Sequence, residues 1–103
     1  MHRTMDLGEF RKSLSAKAPP AGLSRLLQAL WYEAHGDWDR AHKLAQSQKG
    51  KVAAVVHAYL HRKEGDLSNA DYWYERAGSE RPRGLLEKEW EALVAAILNR
   101  TKE

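Results

Sequence analysis

From Leu23 onward apolar residues return at helical spacing. Leu23, Leu26, Leu27, Leu30, Trp31 and Ala34 form one stripe, with Arg25, Gln28 and Tyr32 on the opposite side. Gly36 ends this run, and Asp37 offers the short acceptor side chain that caps a following helix. The next stripe is Trp38, Ala41, Leu44 and Ala45, and it fades through residues 46–50. The same pattern then recurs 29 residues later. Val52, Val55, Val56, Tyr59 and Leu60 take the places of Leu23, Leu26, Leu27, Leu30 and Trp31, and Ala58 repeats Ala29. Gly65-Asp66-Leu67 answers Gly36-Asp37-Trp38, Ala70 answers Ala41, and Trp73-Tyr74 answers Leu44-Ala45. Each unit alone would leave its stripe in water, so two units of this kind are expected to stack on a shared core.

The flanks complete the picture. Asp6 with Glu9, followed by Phe10 and Leu14, predicts a short capped helix before Pro19-Pro20. After a loop at 79–84, Leu85, Leu86, Trp90, Leu93, Val94, Ile97 and Leu98 predict a final amphipathic helix that covers the open end of the stack. The expected fold is therefore a single all-α domain over residues 1–103. It consists of an N-terminal segment (1–20) with a short helix, two tandem antiparallel helical hairpins (21–48 and 51–78), and a C-terminal capping helix (84–101). The crossing within each hairpin requires a small residue, which assigns Ala41 and Ala70 to the helix contacts.

Composition narrows the function classes. Seventeen Lys and Arg stand against 14 Asp and Glu, interspersed rather than gathered, so the net charge of +3 does not favour nucleic acid as a partner. The absence of cysteine removes disulfides and thiolate metal sites and fits a reducing compartment, with the cytoplasm as the expected location. Charged residues run through the first 18 positions, and no apolar stretch is long enough for a membrane span. No phosphate-binding glycine loop or nucleophile elbow is present, so no catalytic residues and no cofactor are assigned. The four Trp fall mainly on apolar stripes, where packing explains them better than base stacking.

The stretch Ala70-Asp71-Tyr72-Trp73-Tyr74-Glu75-Arg76-Ala77-Gly78 resembles the second-helix signature of Sel1-like repeats. The spacing of Gly65-Asp66, Ala70, Tyr74, Ala77 and Pro82 is similar to the second half of a tetratricopeptide repeat. The 29-residue period is shorter than the ~34 of that family, which marks a divergent relative. The resemblance implies a helical-repeat fold and the binding of a protein or peptide, with no catalytic residues to transfer.

Two surfaces can carry chemistry. Arg25, Gln28 and Tyr32 in the first unit, with His57 and His61 in the second, form an expected polar face for a partner, joined by Tyr72, which lies off its stripe. The alternative uses His57 and His61, four apart on one helix, with Glu64 beyond them, as a small metal or ligand site. No downstream histidine offers a third ligand. His35, just before Gly36, is expected to serve the last carbonyls of its own helix, and His42 has no assigned role.

Overall fold

The computed structural model describes residues 5–100. All regular structure among them is helical, with no strand: α1 (Leu7–Ser13), α2 (Arg25–Ala34), α3 (Trp38–Gln46), α4 (Lys51–Glu64), α5 (Leu67–Arg76) and α6 (Leu86–Arg100). None of these helices is long and apolar enough to cross a membrane. The last residue of the expected 84–101 helix lies outside the described residues, and α6 begins two residues later than expected.

Four of the six helices, α1, α2, α3 and α5, start where a side chain takes up an orphan backbone N–H group. The Asp6 carboxylate accepts from Glu9 N at 2.8 Å while Glu9 accepts from Asp6 N at 3.1 Å, a reciprocal capping box. Ser24 caps α2, Asp37 caps α3 and Asp66 caps α5. The two Gly-Asp connections share one backbone geometry. Gly36 and Gly65 have φ of +90° and +91°, the left-handed region open to glycine, and Asp37 and Asp66 have ψ of 75° and 79°. Asp37 N donates to Tyr32 O at 2.8 Å, and Asp66 N donates to His61 O at 2.9 Å, the same bond 29 positions on.

These turns bring α3 back onto α2 and α5 back onto α4, while α3 also packs on α4. Ala29, Ala41, Ala58 and Ala70 are completely buried, so small side chains stand where the helices meet. The main core gathers Phe10, Leu27, Leu30, Trp31, Val56, Tyr59, Leu60, Trp90, Val94, Ile97 and Leu98. A smaller cluster of Ala58, Ala70 and Tyr74, flanked by Val55 and Trp73, joins α4 to α5.

Helix α6 lies across α2 and α4 and meets α1. Trp90 fixes it by donating from Nε1 to Leu30 O at 3.0 Å, with Phe10 of α1 against its ring. It reaches α5 through the Tyr74–Glu89 hydrogen bonds. Leu85 departs from the expected buried stripe: it precedes α6 and is 70% exposed.

Candidate functional site

Two pairs of side chains at i, i+4 spacing face each other across the α3–α4 contact. Trp38 and His42 project from α3, and His57 and His61 project from α4. Trp38 pins the two helices by donating from Nε1 to Leu60 O at 2.7 Å. His42 Nε2 and His57 Nε2 are 2.9 Å apart, so one ring donates and the other accepts. The His57 and His61 rings stack at 4.9 Å, and His42 stands 5.1 Å from His61. Trp38 stacks on His42 at 4.9 Å, and Trp73 of α5 stacks on His57 at 4.0 Å.

The electrostatics follow from this crowding. His57 and His61 are each only 6% exposed, and His42 is half-buried. Burial first, and the neighbouring His42 and His61 second, push the His57 imidazolium down to about 4, so its ring is neutral at ordinary pH. Burial and His61 also lower His42, against the opposing pull of Glu64 and Asp39. The outer nitrogen of His61, Nδ1, donates to Glu64 Oε2 at 2.7 Å. Ligating atoms of His42, His57 and His61 all lie within 4.8 Å of one another, and those of His61, Glu64 and Asp66 form a second, more exposed set.

Two carboxylates are also buried. Glu33 on α2 accepts from Tyr59 Oη at 2.7 Å and pairs with Lys63 at 3.5 Å. Glu89 on α6 accepts from Tyr74 Oη at 2.6 Å and from Arg62 Nη1 at 2.9 Å. Burial, together with these bonds to carboxylates, raises both tyrosines well above the usual phenol range, so they remain protonated donors. Arg62 also donates to Gly84 O, tying the α5–α6 connection to α4. The Glu89 group locks α6 to α4 and α5, and the Glu33 group ties α2 to α4, so both act as structural networks.

The expected partner face is not continuous. His57 and His61 are buried because α3 covers that side of α4, with Trp73 of α5 closing over His57. Arg25 is exposed, and Gln28 and Tyr32 are half-buried. Gln28 donates to Leu23 O at 2.9 Å, and Arg40 lies 4.8 Å from the Tyr32 ring centre. Tyr72 is 52% exposed, with Arg76 beside its ring. The four indoles are engaged within the fold, Trp31 and Trp90 in the core and Trp38 and Trp73 against histidines.

Two histidines differ from expectation. His35 turns away from its own helix end: its Nε2 meets Ala16 O at 2.9 Å while its ring stacks on Trp31 at 4.3 Å. His42, left without a role, completes the imidazole cluster, so the third histidine lies upstream of the pair. Its signal was its place directly after Ala41, on the side of α3 that turns toward the second unit. A further feature went unread in the pattern, an apolar cleft bordered by Val55, Pro82, Leu85, Ala92 and Leu93, with Glu80 and Lys88 at its edge. Compared with family models, curated proteins and solved structures, the chain matches none.

Proposed function

We propose that this chain is a non-enzymatic helical-repeat module, a divergent relative of tetratricopeptide and Sel1-like repeats, that binds a protein or peptide partner in the cytoplasm. The repeat reading is supported by the two Gly-Asp connections, whose dihedral angles and backbone bonds agree 29 positions apart. The observation that carries the binding reading is the apolar cleft beside α6. Leu85 stands at its edge 70% exposed, a large apolar side chain held in water by a loop that Arg62 ties down. Burying it against a partner is worth roughly 1.5–3 kcal/mol. The cleft suits an apolar peptide segment, with Lys88 and Glu80 supplying polar contacts at the rim.

A photo-crosslinking side chain placed at position 85 tests this in the native host. The expected result is one reproducible protein adduct that disappears when Ala92→Glu puts a charge in the cleft, and that is not formed from position 12 on α1. Adducts no different between positions 85 and 12 would contradict the reading.

A further inference from the structure

The partner cleft leaves the most unusual chemistry of the molecule unused. Two packed helices deliver three imidazoles to one place, His42 from α3 and His57 and His61 from α4. We propose that His42, His57 and His61 form a binding site for one transition-metal ion of the zinc type, held by three imidazole nitrogens with a further position open to water or an exogenous ligand.

Geometry supports this first. The ligating nitrogens lie within 4.8 Å of one another. Nitrogens around a tetrahedral ion with bonds of ~2.05 Å stand roughly 3.3 Å apart, so closure requires movement of at most about 1.5 Å. The His42–His57 contact is already inside that spacing at 2.9 Å, and His42 is the least buried of the three rings. Orientation supports it next. Glu64 accepts from His61 Nδ1, which puts the ring proton on that nitrogen and leaves the lone pair on Nε2. A carboxylate behind an imidazole is the usual device for orienting a metal-binding histidine. Trp38 and Trp73 hold the His42 and His57 rings by stacking and wall the site with apolar surface. A hydrogen bond alone accounts for two histidines meeting. It leaves unexplained a third imidazole beside them whose other nitrogen is already committed to a carboxylate.

The donor set also selects the ion. Neutral imidazoles suit zinc, copper, nickel and cobalt and discriminate against magnesium and calcium, which prefer oxygen. Asp39 and Glu64 both act electrostatically on His42 and supply negative charge on its side. On the other side His57 lines an opening whose rim carries Lys49, Lys51 and Arg76, which disfavours cation entry there. His42 therefore marks the way in.

Calorimetric titration of tag-free, chelator-stripped full-length chain with zinc alone tests the site. One ion should bind per chain, with magnesium giving no binding. His42→Ala should weaken zinc at least tenfold, and Glu64→Gln roughly tenfold as a positioning residue. Cobalt in the same site should give visible ligand-field bands that His42→Ala abolishes. Since His57 and His61 are buried, His42→Ala is the deciding variant, with its fold checked by far-ultraviolet circular dichroism. If it does not fold, His42→Gln should show the same loss. The chain also contains His2 and His35. Zinc binding that survives His42→Ala or His42→Gln with unchanged affinity would place the ion elsewhere and overturn the proposal, as would no saturable zinc binding by the unaltered chain.

Discussion

Replacing Ala70 by Leu probes the contact between α4 and α5 at its tightest point. Ala70 is completely buried and packs with Ala58, also completely buried, and Tyr74, 1% exposed. An isobutyl group there has no solvent to enter. It must displace Tyr74, whose hydroxyl is committed to Glu89, or push α5 away from α4. Overpacking of this kind costs about 1–3 kcal/mol. In a domain of this size each kcal/mol lowers Tm by roughly 4–8 °C, so a loss of roughly 4–24 °C is expected. The assay is a thermal melt followed by circular dichroism, paired with urea unfolding to check that the slope is unchanged. Lys12→Leu on the exposed side of α1 serves as the control and should move stability by less than ~0.5 kcal/mol. Lys102, which the sequence predicts to be exposed and equally tolerant, lies outside the described residues. If Ala70→Leu melted like the unaltered chain, the close approach of α4 and α5 at this level would be wrong. The equivalence of Ala70 with Ala41 would then lose its physical basis.

Asp66→Ala removes the side chain that accepts from Asn69 N and should cost about 1 kcal/mol in urea unfolding. Tyr59→Phe strips the buried Glu33 of its 2.7 Å hydroxyl donor and should destabilise by roughly 1–3 kcal/mol, measured the same way. His57 predicts a pH dependence for the metal-free chain. Its folded pKa is depressed to about 4 from an ordinary 6.5, so only the unfolded chain takes up the proton between those values. The stability linked to this group is fully present above pH 6.5 and is lost as pH falls toward 4. The loss is on the order of 3 kcal/mol. His57→Gln, unfolded in chelator across that range, should show a flatter profile by about that amount; an identical profile would show that His57 does not sense the burial described.

What could be read in the sequence were the features that act locally. A glycine followed by aspartate specifies a left-handed residue and a cap within a few positions, and an alanine four residues on announces a close helix crossing; both are found at 36–41 and 65–70. The capping box at Asp6 and Glu9 is of the same kind. The missed features depend on partners distant in the chain. Glu89 sits among Glu87 and Glu91 and looks like surface charge until Tyr74 and Arg62 arrive from other helices. Glu33 needs Tyr59, 26 positions away. His42 reads as one more polar residue beside Lys43, and only the packing of α3 on α4 sets its ring against His57, 15 positions on. Positions equivalent in the repeat also meet different neighbours. Gln28 and Tyr32 stay near the surface, whereas His57 and His61, their counterparts 29 residues later, have a helix laid over them.

The arrangement on which the repeat reading and the metal site stand is the packing of the first helical pair on the second through the His42–His57 contact. A two-dimensional nuclear Overhauser spectrum of the metal-free chain tests it most directly. The ring centres of His42 and His57 are 4.7 Å apart, and those of His57 and Trp73 are 4.0 Å apart. Cross-peaks between the ring protons of His42 and His57, and between those of His57 and Trp73, are the expected result. A His42 ring with cross-peaks to Trp38 on its own helix but none to any proton of α4 would contradict the account.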